Sequence, residues 1–113
     1  MVSGQELFLE RERIKNSLDT SLHKAYENGL EMAEATRLYR ISLSNEIMRQ
    51  KANGVPTTIL EKLARGAEEV AQKEFDMIVA EVKYRASNEN IMAQKKLFDS
   101  IEADISREYH RIE

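Results

Sequence analysis

The sequence predicts an all-α protein: a long antiparallel helical hairpin with a short helix at its tip, which assembles into a multi-helix bundle as an oligomer. Two observations carry the fold class. Only one proline and four glycines interrupt 113 residues, with no Trp and three Phe, which favours long helices over a β-rich fold. Apolar residues also recur at helical spacing on both sides of a single turn signal. We expect one domain spanning residues 1–113.

Residues 4–53 are predicted to form the first arm. Ser3 and Glu6 have the spacing of a capping box at its start, and Asn53-Gly54 with Pro56 just beyond marks its end. The apolar stripe expected to face the second arm consists of Ile14, Leu18, Leu22, Ala25, Met32, Tyr39, Leu43 and Ile47.

The tip is predicted over residues 54–66 and the second arm over residues 67–112. Thr58 and Glu61 have capping-box spacing at the start of a short tip helix, which Gly66 closes. The first inward stripe of the second arm is expected to be Val70/Ala71, Phe75, Ile78, Val82 and Ala86. Beyond a polar interval the stripe changes phase to Ile91, Phe98, Ile101, Ile105, Tyr109 and Ile112.

A compact tip predicts that the numbers of facing residues add up to about 119. That register places Asn28-Gly29 opposite Asn90, so both arms carry poor helix formers at one level. One interpretation is a weak midpoint, either a kink, a hinge or a polar layer. The other is that Gly29 lets the second arm approach closely. The sequence favours neither.

The first arm carries a second apolar edge that its partner arm cannot cover. Two helices hide only the stripes that they turn toward each other, so this edge predicts self-association. Dimerisation that covered it would contribute about 25 cal/mol per Å² of apolar surface, before entropic losses. The edge consists of Tyr26, Leu30, Ala33, Ile41 and Met48.

Composition excludes several classes of function. The net charge of −3 gives no general attraction to nucleic acid or to a membrane. Without cysteine there are no disulfides, thiolate nucleophiles or zinc-thiolate sites. His23 and His110 lack the Glu-x-x-His spacing of a di-metal bundle, so we predict no metal. Ser42, Ser44 and Thr57 have no His partner at a plausible spacing, so we predict no enzyme and no cofactor. No secretory signal or membrane span is evident, which predicts a cytoplasmic protein.

Positive charge is concentrated between residues 37 and 65. This stretch holds six cations and two anions, a net charge of +4, whereas residues 1–36 carry −3 and residues 66–113 carry −4. Threonines at the start of the tip helix would present free N–H groups to an anion, and tyrosines could stack on a base. The predicted anion-binding set is Arg37, Tyr39, Arg40, Arg49, Lys51, Thr57, Thr58, Lys62, Arg65, Lys83, Tyr84 and Arg85. The alternative is that these cations pair with a neighbouring subunit and solvate the tip.

The stretch from Tyr39 to about Ile91 resembles small helical accessory proteins of bacteriophages that infect Gram-positive bacteria. The resemblance is carried by the helix end at residues 46–54, the Val55-Pro56-Thr57-Thr58 turn and the following helix with Asp76 and Tyr84. It implies an accessory phage gene acting in the host cytoplasm.

Three functions are compatible with these features. The first is a non-enzymatic protein that engages or inhibits a host protein through its helical faces. The second is an oligomeric binder of a phosphate-bearing small molecule, such as a nucleotide signal of host defence, at the basic end. The third is a nucleic-acid accessory protein using the same cations on a phosphate backbone, with strong salt dependence.

Overall fold

A computed structural model describes residues 3–112 as three helices: α1 (Gly4–Ala52), α2 (Thr57–Arg65) and α3 (Glu68–Ile112). No strand occurs among these residues, which confirms the all-α prediction. Residues 1, 2 and 113 of the predicted domain, and the side chain of Ile112, lie outside the described part of the chain. Neither α1 nor α3 is interrupted between its ends.

Local hydrogen bonds, which the sequence predicts, set both ends of α1. The Glu6 N–H donates to Ser3 Oγ at 3.1 Å, while the Ser3 N–H donates to Glu6 Oε2 at 3.3 Å, so the capping box is confirmed. At the other end Gly54 has φ +86°, which other residues adopt only with strain. The N–H of Gly54 reaches Lys51 O and that of Val55 reaches Gln50 O, each at 3.1 Å, and these bonds close the helix.

The start of α2 differs from the prediction. Pro56 is the N-cap residue and no side chain caps the helix, so the expected Thr58–Glu61 capping box is wrong. Proline supplies an extended backbone directly before Thr57, and the helix begins without a hydroxyl cap. Gly66 does close α2, with its N–H donating to Lys62 O and Leu63 O. Leu60 and Ala64 are buried.

Contacts divide the chain into two compact units: a terminal unit drawn from Met1–Tyr26 and Arg85–Glu113, and a central unit, Glu27–Tyr84. In the terminal unit, Arg11 contacts Glu102 at 3.3 Å. Ser21 Oγ accepts hydrogen bonds from Asn90 at 3.1 Å and from Gln94 at 2.9 Å. Residues later in α1 therefore meet residues earlier in α3, as antiparallel helices require.

The central unit shows the same antiparallel pairing. Lys83 Nζ lies 2.9 Å from Glu31 Oε2, and the Tyr84 ring lies against Gly29. Across these contacts in the two units the paired residue numbers add up to 111–115, so the predicted sum of about 119 is wrong. The estimate failed because it paired the end of α1 directly with the start of α3 and left no room for α2 beside α1.

The inward face of α1 largely follows the prediction. Ala25 is buried, and Ile14, Leu18, Met32, Tyr39, Leu43 and Ile47 are partly buried, while Leu22 is exposed. The second edge of α1 is exposed throughout, as expected, from Tyr26 in the terminal unit to Leu30, Ala33, Ile41 and Met48 in the central unit.

The inward face of α3 corrects the prediction. Val70 and Ile91 are buried as predicted, and Ala80 is buried as well. Phe75, Ile78 and Val82, which were expected in the core, are exposed. Ala71 and Ala86 are exposed as well. Farther along, Phe98, Ile101 and Ile105 are partly buried as predicted, and Tyr109 is exposed. α3 carries two apolar stripes, and the one that contains Val70, Ala80 and Ile91 faces α1.

Gly29 favours the close-approach interpretation of the midpoint. It lies inside unbroken α1, and a Cβ built on it would lie 3.2 Å from Tyr84 Cε1. Asn90 instead contacts Ser21 in the terminal unit, so the predicted pairing of Asn28-Gly29 with Asn90 is wrong. A glycine fits at position 29 because the Tyr84 ring occupies the space that a side chain would fill.

Gly29→Ala should stabilise the protein by less than the usual gain. Removing a helix-interior glycine is worth about 1 kcal/mol, but the new methyl must displace the Tyr84 ring by a few tenths of an ångström. In a Tyr84→Ala background the same change should give the full gain. Denaturant unfolding of the four proteins measures the coupling, and equal gains in both backgrounds would contradict the contact.

Candidate functional site

The predicted anion-binding residues are distributed between the two units. Arg85 belongs to the terminal unit, and the other eleven belong to the central unit. Tyr39 and Tyr84 are partly buried, and the remaining ten are exposed. A site shared by most of these residues would therefore lie in the central unit.

Two of the predicted arginines are held by carboxylates on their own helix. Arg37 makes two bonds to Glu34, at 2.6 and 2.9 Å, and Arg49 makes two to Glu46, at 2.5 and 3.0 Å. The hydrogen bond from Arg37 lowers the pKa of Glu34. Hydrogen bonds from Arg49 and Gln50 lower the pKa of Glu46 to about 2. Each guanidinium thus already has an anion beside it.

Tyr39, Arg65 and Glu74 form a cluster that joins all three helices. Arg65 Nε and Nη2 lie 3.1–3.3 Å from the Glu74 carboxylate oxygens. A hydrogen bond between Tyr39 and Glu74 raises the pKa of Tyr39 and is the largest cause of the lowered pKa of Glu74. This Tyr39–Arg65–Glu74 cluster ties the end of α2 to both long helices.

The members of the predicted set on the second arm are Lys83, Tyr84 and Arg85. Lys83 pairs with Glu31 at 2.9 Å, Tyr84 packs on Gly29, and Arg85 is part of the terminal unit.

A surface cleft of about 540 Å³ does gather three members of the predicted set. Thr58, Lys62 and Arg65 line it, together with Gly66. Glu61 and Glu74 line the same cleft, so its two cations face two carboxylates. The arrangement is electrically balanced and does not favour an anion over a neutral ligand.

The charge of the central unit shows the same balance. Residues 27–84 contain eight cations and ten anions, a net charge of −2. The cationic stretch at residues 37–65 is thus folded among carboxylates that precede it in α1 and follow it in α3. Sequence spacing could have indicated Glu34–Arg37 and Glu46–Arg49, three residues apart on a helix. It gave no indication of Glu74, which folding alone brings to Arg65.

The central unit also exposes rows of apolar side chains on both long helices. On α1, Leu30, Ala33, Ile41 and Met48 form the α1 edge, with Met48 66% exposed. On α3, Ala71, Phe75, Ile78 and Val82 form the α3 seam, with Phe75 61% exposed. Exposed large apolar side chains on long helices are typical of surfaces that another protein covers.

Comparison with protein-family models, with curated proteins and with solved structures gave no match. Among the described residues no helix has an apolar stretch long enough to cross a membrane. The candidate function therefore rests on the residues of the chain itself.

Glu74→Gln should reduce the free energy of unfolding at neutral pH. The pKa of the Glu74 carboxyl is lowered in the folded protein from its usual value of 4.5. Its ionised form therefore stabilises the fold at pH values above 4.5. That contribution is lost as the pH falls through the lowered pKa. The difference from the unmodified protein should therefore shrink under strongly acidic conditions. Melts across that range measure it.

Glu61→Gln is the matched control for this experiment. Glu61 lines the same cleft as Glu74 but lies outside the Tyr39–Arg65–Glu74 cluster. Its replacement should leave the acid dependence of the melting temperature close to that of the unmodified protein. An identical acid dependence for Glu74→Gln would show that the cluster contributes nothing to stability.

Proposed function

We propose that this protein is a non-enzymatic binding protein that engages or inhibits a host protein through apolar faces of its long helices. The observation that carries the proposal is the placement of its apolar residues. The buried core is small and rich in alanine, while bulky residues such as Phe75 and Met48 lie outside. Solvent exposure of such side chains has a free-energy cost that a bound partner removes.

The α1 edge has the geometry of a helix-recognition surface. Leu30, Ala33, Ile41 and Met48 follow one another at steps of three, eight and seven residues, which keeps them on one side of α1. A partner helix or groove that presents apolar side chains would cover them. Methionine suits such a surface because its flexible thioether adapts to irregular partners.

The proposal includes the assembly of the whole chain. We place α1 and α3 along one antiparallel hairpin with α2 at its tip, and two or more hairpins in a multi-helix bundle. The resemblance to phage accessory proteins supports a role in the host cytoplasm, where small non-enzymatic binders of host factors are common. Sedimentation equilibrium at micromolar concentration should give a mass above the 13.1 kDa of one chain.

Ile41→Glu should abolish capture of the host partner from an extract of a Gram-positive bacterium. A carboxylate in the α1 edge would be buried without a counter-charge in the complex. Ile59→Glu is the control, because Ile59 lies on α2 and both isoleucines are 45% exposed. Quantitative mass spectrometry of the captured proteins compares the three baits. A protein bound equally by all three would show that the α1 edge is not the binding surface.

The phosphate-binding alternatives have weaker support. Arg37, Arg49, Arg65 and Lys83 each pair with a carboxylate of the same chain, and an incoming phosphate would have to displace it. We therefore expect no binding of mono-, di- or cyclic nucleotides, or of single- or double-stranded DNA, at moderate salt.

Calorimetry against these ligands measures the phosphate-binding alternatives directly. Saturable binding that is lost in the Arg37→Glu/Arg40→Glu double variant, with an unchanged melting temperature, would establish the basic stretch as a site. The host-protein proposal would then give way to a ligand-binding function.

A further inference from the structure

Within the central unit α3 is apolar on two opposite faces. One face is turned to α1 and contains buried Val70 and Ala80 with partly buried Met77. The other is the α3 seam. At about 100° per residue, Phe75 and Val82 lie roughly 140–160° around the helix from Met77. Nothing in the unit covers them: Phe75, Ile78 and Val82 are 61%, 47% and 55% exposed.

The spacing of the α3 seam is that of a helix-pairing surface. Ala71, Phe75, Ile78 and Val82 are separated by four, three and four residues. The three steps together cover 11 residues, an average of about 3.7, which is the repeat with which helices pair in a right-handed supercoil. Apolar residues scattered singly over a surface have no such order. The α3 seam is therefore built to receive a helix.

The accessible surface of the chain exceeds that of a typical folded monomer of its mass. It measures 8362 Å², against about 6,400 Å² for a folded monomeric protein of 13.1 kDa. The excess is about 2,000 Å² per chain, and each subunit of an obligate homodimer buries about 1,000–2,500 Å². The exposed surface thus matches what a stable dimer of this chain would cover.

We propose that the α3 seam is the contact between two copies of this chain, with α3 lying between its own α1 and a helix of the second copy. The inference rests on the proposed function, because it assigns the self-association to α3 and leaves the α1 edge for the host protein. Helix α3 supplies the surface because its seam holds three large apolar residues within eight positions.

The experiment compares the unmodified chain with Ile78→Glu, Ile41→Glu and Ile59→Glu. These isoleucines are 47%, 45% and 45% exposed, so the three changes are alike in chemistry and exposure. Sedimentation equilibrium should give a dimer, twice 13.1 kDa, for the unmodified chain and for the Ile41 and Ile59 variants. Ile78→Glu should weaken the dimer by at least about 30-fold in Kd, because its carboxylate would be desolvated at the interface.

A second measurement tests the seam without placing a charge in it, in case Ile78→Glu fails to fold. The chain has no cysteine, so single thiols at Ala71 and Ala52 can be introduced by Ala71→Cys and Ala52→Cys. Both alanines are exposed in the single chain, and only Ala71 lies in the α3 seam. Alkylation of the thiol introduced by Ala71→Cys should slow as protein concentration rises. Alkylation of the thiol introduced by Ala52→Cys should keep the same rate.

The outcomes separate the inference from the proposed function. A dimer that survives Ile78→Glu but is lost in Ile41→Glu would overturn the seam assignment and place the second copy on the α1 edge. A monomeric unmodified chain, with alkylation of both thiols independent of concentration, would overturn self-association through α3. Capture of the host protein through Ile41 would stand or fail separately, because that assay measures a different ligand.

Discussion

Two helices packed side by side can bury only the stripe that each turns toward the other, and this constraint governs what the chain exposes. In the central unit the buried line contains small residues, with Gly29 against Tyr84 and Ala80 almost fully covered. Small residues allow the backbones to approach closely, which improves dispersion contacts along the line. Bulky apolar residues such as Met48 of α1 and Phe75 of α3 are left on the outer faces.

The same constraint limits how much apolar area one chain buries. A core of alanines, one valine and a few long side chains buries little apolar area relative to the conformational entropy lost by ordering two long helices. The α1 edge and the α3 seam hold exposed apolar area, and its burial would offset the rest of that entropy cost. The proposed self-association and the proposed partner binding would each cover apolar area that one chain leaves exposed.

Electrostatics contribute to positioning more than to recognition. Carboxylates of the same helix neutralise Arg37 and Arg49, and Glu74 neutralises Arg65 while holding Tyr39. Exposed ion pairs of this kind contribute little stability individually. The Tyr39–Arg65–Glu74 cluster differs because it connects three helices and fixes the end of α2. A cationic stretch in the sequence therefore becomes a balanced surface in the fold.

The sequence by itself determined the three helices, both ends of α1 and the end of α2. Ser3, Gly54 and Gly66 act through hydrogen bonds to neighbours within a few residues, so their roles follow from local spacing. The inward stripe of α1 and the ion pairs three residues apart have the same local origin. Only the tertiary structure decided which stripe of α3 faces α1, that Glu74 reaches Arg65, and that Tyr84 covers Gly29. These features depend on the register between α1 and α3. The register shifts when α2 occupies part of the length beside α1, and no local spacing in the sequence encodes that shift.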